Sequence, residues 1–493
     1  MTAPAPASFY DEGGVSHPVE SYLVFSDVHL GSDLNDRGSS PRRSDTIDRD
    51  LARFLDHYAG VRPARGTWRL IIAGDFIDFI GMSVEPGDGA PPATTLDEEE
   101  IRNGLGGAED HTRHKLHRVA ERHADVFLAL AGFVARGNAV TLISGNHDID
   151  FHWDAVKADF RHILLERARP SEGGDGAFDE EAFLGRIDFE PWFFYRSGVV
   201  YIEHGHQYDP YCAIDHVMTP VVPSDRRRTV RDFSSVLLRH VVRRTPGMKE
   251  YGHDTMGLAD YIGFAIRLGL RGLVGLSVRF ARAVAALFEV KREHDSDAAR
   301  VMREEHDGKV VSRASGVASE VERLRALVAL QVAPITRTAR GIVSSVLLDR
   351  LSLAAASVLL VLVLALLSLW DSRFGFGAFS VPLCAIGGMA YLSRQRKLDP
   401  AEEMVTRAEA LAALFPAPFV VMGHTHVPVD RELGTTRYIN LGSWAEEEAE
   451  GHEKAYRAAR THLVIDVEDG AAKAELRAWS ATDGPAGAPV RFP

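Results

Sequence analysis

Short apolar runs alternate with longer stretches of helical spacing over the first two hundred residues. Tyr22–Ser26 (YLVFS), Arg69–Ala73 (RLIIA), Ala139–Ser144 (AVTLIS) and Val199–Glu203 (VVYIE) each predict a buried strand. Between them, Asp48–Tyr58 and His111–Ala135 carry apolar residues at helical spacing. Pro86–Thr95, rich in Pro, Gly and Ala, predicts a surface loop. The alternation stops near Tyr211 and resumes near Pro400. Beyond it, Phe419–Met422, Tyr438–Leu441 and Thr461–Asp466 predict strands, and a turn at Glu468–Gly470 leading to Ala474–Trp479 predicts a closing hairpin. The chain therefore divides into a tail (1–19), the first part of an α/β domain (20–212), an insertion (213–400) and the second part of the domain (401–493).

The insertion follows a different pattern, wholly helical. In Met256–Val290 the four arginines Arg267, Arg271, Arg279 and Arg282 fall within an arc of roughly 120° at 100° per residue. Leu273, Leu276, Phe280, Leu287 and Phe288 occupy the remaining faces. Two readings fit: a helix lying in a membrane interface among anionic head groups, or a core-packing helix with a solvated stripe. Further on, Leu351–Trp370 is a charge-free run of 20 residues, long enough to cross about 30 Å of hydrocarbon. A second charge-free run, Phe374–Leu392, follows. Arg340 and Arg350 precede the pair and Arg394, Arg396 and Lys397 follow it, so a transmembrane hairpin with both ends in the cytoplasm is expected, the second run being interfacial or re-entrant as the alternative.

Charge refines this picture. Formal net charge is −13, which argues against general nucleic-acid binding. Arg226–Arg292 nevertheless holds 14 Lys/Arg against 5 Asp/Glu, or +9, leaving −22 for the rest. Such a basic block predicts a partner or a surface. Cys212 and Cys384, the only cysteines, cannot build a disulfide framework or a thiolate zinc site. The first residues lack the basic start and apolar run of a secretory signal. The expected location is the cytoplasmic membrane, with the α/β domain facing the cytoplasm.

Candidate chemistry lies directly after the predicted strands. Five motifs occur in order: Asp27-Val28-His29, Gly74-Asp75-Phe76-Ile77-Asp78, Gly145-Asn146-His147-Asp148, His204-Gly205-His206 and Gly423-His424-Thr425-His426. Loops leaving the carboxyl ends of strands are the usual ligand position in α/β sheets. Carboxylates, an amide oxygen and imidazoles without thiolates suit manganese, iron or zinc. Hydrolysis of a phosphate ester requires hydroxide at an anionic phosphorus and a stabilised leaving oxygen, and two cations about 3.5–4 Å apart supply both. The histidines His111, His114, His117 and His123 admit a solvated helix face, an accessory metal site, or a basic rim attracting anions.

The ordered series D-x-H, G-D-x-x-D, G-N-H-D, H-G and G-H-T-H resembles the calcineurin-like metallophosphoesterase family. Tyr438-Ile439-Asn440-Leu441-Gly442-Ser443-Trp444 resembles that family's N-x-G-S/T-W segment. The likeness covers roughly residues 20–211 and 402–480. It implies a four-layer sandwich, two mixed sheets flanked by helices, with two divalent metal ions at the strand ends. By position it implies that Asp27, His29 and His426 hold the first metal and Asn146, His204 and His424 the second, with Asp75 bridging. It makes His147 face the phosphate and either protonate the leaving oxygen or stabilise its charge, with Asp148 beside it in the catalytic set. Asp148 and Asp78 then orient His147 and the ligands. His206 departs from relatives that carry Asp after the H-G pair. It is left as a substrate contact, a pH-sensitive group or surface, with Asp209 and Tyr211 lining the pocket.

The resemblance implies a phosphate-containing substrate without naming it. A membrane-embedded insertion between His204 and His424 would suit a lipid-linked phosphate or pyrophosphate of envelope lipid synthesis. In that respect the chain resembles UDP-diacylglucosamine hydrolases of lipid A synthesis, although those carry Arg where this chain has His147. A competing class is the non-catalytic scaffold on the same fold, whose signature is a lost ligand; here every expected position is filled.

Overall fold

The apolar runs fold as strands buried on both faces, and that double burial sets the architecture. A computed structural model describes residues 20–36, 45–63, 66–87, 92–170, 178–246, 248, 258–314, 318–346, 348–394, 400–445, 460–468, 471–479 and 488–489. In β1 (Glu20–Phe25), Tyr22 and Val24 face a second sheet while Leu23 and Phe25 face helices, as the two-residue period of a strand requires. The same alternation holds in β2 (Thr67–Ala73), where Ile71 and Ala73 point to the sheet interface and Leu70 and Ile72 to the helical layer. Strands buried on both sides read as continuous apolar segments, hence their legibility.

Both sheets are mixed. The first has seven strands in the order β12-β11-β10-β1-β2-β3-β4, adding β3 (Ala139–Ile143), β4 (Ile187–Glu190), β10 (Thr461–Glu468), β11 (Ala471–Ala478) and β12 (Ala488–Pro489). β1 to β4 run parallel, and β10 joins β1 antiparallel with Tyr22 opposite Ile465. The second has five, β5-β6-β7-β9-β8: β5 (Phe193–Arg196), β6 (Val200–Glu203), β7 (Phe419–Met422), β8 (Val429–Leu433) and β9 (Thr436–Asn440). Tyr22, Ile71 and Ile143 of one sheet pack against Ile202, Val421 and Ile439 of the other. Helices Asp45–Gly60, Ala124–Ala135 and Asp154–Ala168 cover the outer face of the first sheet, and Pro400–Leu414 covers the second. Two mixed sheets flanked by helices, as expected, make the α/β body.

Several expectations are corrected. The helix predicted over His111–Ala135 is two, Glu109–Arg122 and Ala124–Ala135, broken at His123. His123 is buried there, its Nε2 accepting from Gly31 N at 2.9 Å and its Nδ1 2.6 Å from Asp48. His111 is buried as well, 2.9 Å from the Thr94 carbonyl, while His117 is exposed beside Asp159. These histidines thus divide between internal struts and surface.

The insertion runs between the parallel neighbours β6 and β7, and among the described residues its regular elements are all helical. It is not a separate packing unit. Leu324 and Leu327 of helix Ala318–Leu330 join the layer over the second sheet. The predicted helix 256–290 appears as Leu258–His294, interrupted at Gly269, where φ is 61° and ψ 178°. Its later half packs Ala283 and Leu287 into a local core with Phe233 and Val236, the core-packing reading, while Arg267, Arg271 and Arg282 stay exposed. Leu348–Leu367 and Arg373–Arg394 form the predicted helical hairpin. Among the described residues, however, no helix is long and apolar enough to cross a membrane, so the spanning hairpin is not carried forward. Pro382 and the glycines of the second helix dilute its apolar character. The tail 1–19, part of the 86–95 loop, Met256 and Gly257, Arg396 and Lys397, and residues 469–470 of the predicted turn lie outside the described residues.

The basic block finds its partners inside the chain. Arg228 pairs with Glu100 at 2.8 Å, Arg239 with Glu99 at 2.9 Å, Arg226 with Glu305 at 2.6 Å and Arg243 with Asp78 at 3.0 Å. The Arg228, Arg239 and Arg243 pairs staple the insertion to acidic residues of the α/β body, whereas Arg226–Glu305 lies within the insertion.

Candidate metal centre

Every predicted ligand sits where a strand ends and the chain turns at once. Among the described residues, positive φ outside glycine occurs at Asp27, His29, Asp75, His424, His426 and Arg460. Five of these six are predicted ligands. Left-handed backbone costs a side-chain-bearing residue about 1–2 kcal/mol, so five together cost an amount comparable to a domain's net stability of about 5–15 kcal/mol. Such concentrated strain marks functional sites, and specific hydrogen bonds offset it. Val28 N and His29 N both donate to the Asp75 carbonyl at 2.9 Å, and Leu30 N donates to Phe76 O at 2.9 Å. Trp444 N and Ser443 Oγ donate to the Asp27 carbonyl at 3.0 Å. Asn440 Nδ2 donates to Gly423 O at 2.7 Å, holding the loop that carries His424 and His426. The segment Asn440–Trp444 is thus the brace of the two outer ligand loops.

Two donor clusters converge on Asp75. In the first, His29 Nε2 lies 3.2 Å from His426 Nε2 and 3.7 Å from Asp75 Oδ2, and His426 Nε2 lies 3.3 Å from Asp27 Oδ1. Burial, with His147 next, holds the His29 imidazole down at about 3, so it is neutral. Asp27 is fully buried, yet its Oδ1 takes no hydrogen bond among the described residues; its Oδ2 accepts from His424 N at 3.0 Å. In the second, His204 Nε2 lies 3.2 Å from both Asp75 Oδ2 and Asn146 Oδ1. His204 Nδ1 is 2.9 Å from the Ala73 carbonyl, which assigns a proton to Nδ1 and turns Nε2 into the pocket. Burial depresses this imidazole, but Asp75 and Asp27 outweigh it and push it up to about 9. The two carboxylates favour a positive charge at that point. Burial likewise raises Asp75, but His204, His147 and His29 overcome it and hold the carboxyl well below its usual range. Buried lone pairs facing one another across about 3 Å suit a cation between them, and these Asp and His groups could hold a metal ion.

The remaining predicted residues are placed as follows. His147 Nδ1 lies 2.7 Å from Asp78 Oδ1, and its ring stands edge-on to His29 at 4.6 Å between centroids. Asp78 therefore orients His147, as expected. Asp148 does not: its carboxylate accepts from Gly145 N at 2.7 Å and Phe76 N at 2.8 Å, tying two ligand loops together. Its contacts are those of a brace between the loops that carry Asp75 and Asn146. Burial, with Asp75 nearby, pushes its carboxyl up to about 7. Asp209 is also reassigned, since its Oδ2 is 3.1 Å from His424 Nε2 and its Oδ1 accepts from Tyr211 N at 2.9 Å. A carboxylate on one nitrogen of a ligating histidine fixes its tautomer and leaves the other for a metal. His206 is buried beside His204 and His424, accepting at Nε2 from the Gln207 amide at 3.0 Å, so it is not surface. Cys212 lies within reach of Asp209 and His424, but burial, then Asp209 and Asp232, push its thiol well up and keep it protonated.

Sequence reasoning missed Arg243, whose guanidinium meets Asp78, and the Asp209–His424 contact. Both join residues more than 160 positions apart, and neither motif carries a local signal of its partner. No family model matches the chain, and a search of curated proteins found no match.

Close packing of glycines against the ligands gives a direct prediction. A Cβ on Gly145 would fall 2.1 Å from Asp75 Oδ1 and 2.7 Å from Asp75 N. Gly145→Ala must push the shared carboxylate aside. It is expected to weaken metal binding about 10–100-fold, the scale of supporting-residue changes at metal sites. Titration of Mn²⁺ into chelator-stripped protein measures this, and unchanged affinity would contradict the shared role of Asp75.

Proposed function

We propose that the chain is a metal-dependent phosphoesterase of the calcineurin-like kind, hydrolysing a phosphate ester or anhydride. The observation that carries this reading is the sharing of Asp75 between two donor clusters, with a carboxylate-held His147 beside them. Asp27, His29 and His426 would hold one divalent ion, and Asn146, His204 and His424 Nδ1 the other, with Asp75 between. Two such ions, manganese first with iron or zinc as alternatives, would supply charge stabilisation of the phosphate oxygens and an acidified water for in-line attack. His147 Nε2 would donate its proton to the leaving oxygen as the bond to phosphorus breaks, so that water adds across the P–O bond. Asp78 holds the ring at Nδ1 throughout.

One observation favours a lipid-linked phosphate as a second reading. The helical hairpin exposes Leu359, Leu366, Phe376 and Phe379, each more than half accessible, a surface suited to the membrane interface. Chelator-stripped protein, purified in mild detergent and given Mn²⁺, should turn over a chromogenic monoester or diester. Good turnover of soluble diesters without cleavage of any sugar-nucleotide lipid removes the lipid reading. No turnover with manganese, iron or zinc on any ester removes the enzyme and leaves the scaffold.

A further inference from the structure

Arg243 belongs to the insertion, yet it reaches the residue that holds His147. It follows the π-helical turn Leu238–Val242, closed by Arg243 N donating to Leu238 O at 3.0 Å. π-turns recur at functional sites because they displace side chains from ordinary helical register. The Arg243 side chain is largely buried, one Nη donating to the Ser32 carbonyl and the other to Asp78 Oδ2 at 3.0 Å. Asp78 is fully buried, and its Oδ1 takes the other two contacts, from Gly81 N at 2.7 Å and His147 Nδ1 at 2.7 Å.

A second feature is built around the same pair. A Cβ on Gly81 would lie 2.0 Å from Asp78 Oδ2 and 2.6 Å from Arg243 Nη2. Glycine at 81 thus serves twice, as an amide donor to one carboxylate oxygen and as the space in which the other meets the guanidinium. Neighbouring Arg239 fixes this loop from the same turn, donating to the carbonyls of Ile80 at 3.2 Å and Met82 at 3.3 Å. Planar, multidentate arginine suits this work better than lysine would.

We propose that Arg243 is a positioning residue for the reaction, supplied by the insertion, which sets the Asp78 carboxylate and through it the His147 ring. The inference rests on the phosphoesterase reading for its kinetic arm only. The insertion then completes the site, because nothing else among the described residues is placed on Asp78 Oδ2. A carboxylate with one oxygen undirected can rotate, and with it the imidazole it holds.

The test is a double-mutant cycle on the full-length protein. Arg243→Ala should lower kcat about 10–100-fold with KM and bound metal unchanged, and Arg243→Lys should recover part of the loss. In a His147→Gln background, Arg243→Ala should cost less than about twofold more, because both changes remove one function. Full additivity, or loss of metal with the arginine, overturns the proposal. If the wild-type protein hydrolyses no ester, the phosphoesterase reading fails, and the positional claim is read from the imidazole nitrogen signals of His147 in metal-free protein. They should shift slightly in Arg243→Lys, in line with its partial recovery, and move or broaden further in Arg243→Ala; unchanged signals in Arg243→Ala overturn it. Should Arg243→Ala not fold, Arg243→Lys carries both arms. A shift in its His147 signals or a several-fold fall in kcat, absent in the His147→Gln background, supports the proposal, and wild-type behaviour in both overturns it.

Discussion

Asp75→Asn is expected to lower kcat/KM for phosphate-ester hydrolysis by about 10³-fold or more and to reduce bound metal below two ions per chain. Asp75 Oδ2 lies 3.7 Å from His29 Nε2 and 3.2 Å from His204 Nε2, so the same oxygen faces both donor clusters. Its other oxygen accepts from His147 N at 2.9 Å and fixes the loop that also carries Asn146. The amide keeps the shape but removes the charge that would balance the two proposed cations. A 10³-fold loss corresponds to about 4 kcal/mol of transition-state stabilisation. That is within reach of a buried carboxylate facing metal ions, and far beyond a surface ion pair worth about 0–1 kcal/mol. Metal analysis of the purified variant beside its kinetics decides the matter. Full metal content with more than a tenth of the activity would sink the shared-carboxylate site.

His147→Gln should behave differently. Bound metal should be retained, since His147 groups with His29 and Asp78 rather than with Asp75, and Asp78 takes up its Nδ1 at 2.7 Å. The expected loss in kcat is about 10²–10⁴-fold, the usual range for a positioned general acid. It should depend on the leaving group: alkyl esters, whose alkoxide needs a proton, should lose most, and nitrophenyl esters least. Equal losses across leaving groups would show that His147 acts on binding rather than as the acid.

How far these features are legible in sequence follows from where each element lies in the sheets. The strands found by their apolar runs, such as YLVF in β1 and FVVM in β7, are central and buried on both faces. Those that gave no such signal, β4 (IDFE), β5 (FFYR), β8 (VDREL) and β12, are the edges of the two sheets. An edge strand has one neighbour and one exposed flank, so its sequence does not need a continuous apolar run. The candidate ligands were legible because short motifs at strand ends supply them, each complete within a few residues. Their supports were not. The Asp209–His424 and Arg243–Asp78 contacts bridge 215 and 165 positions, and a charge balance along the chain cannot assign an arginine to an acid that distant. For the same reason the basic block suggested a partner or a surface without showing that several of its arginines pair within the chain. The glycine break at 269 was hidden because helical periodicity continues through it.

The position of the insertion governs the order in which the protein can be completed during synthesis. β6 and β7 are hydrogen-bonded neighbours, with Tyr201 opposite Val420, although about 215 residues separate them. At about 5–20 residues per second that interval lasts roughly 10–40 s. During it a nascent chain carries Asp27, His29, Asp75, Asn146 and His204 but lacks His424 and His426, and β6 has an open edge. A product arrested inside the insertion would hold an incomplete set of donors and a strand ready to pair with another chain. If the proposed ligand set is right, full metal loading would require translation to have passed His426.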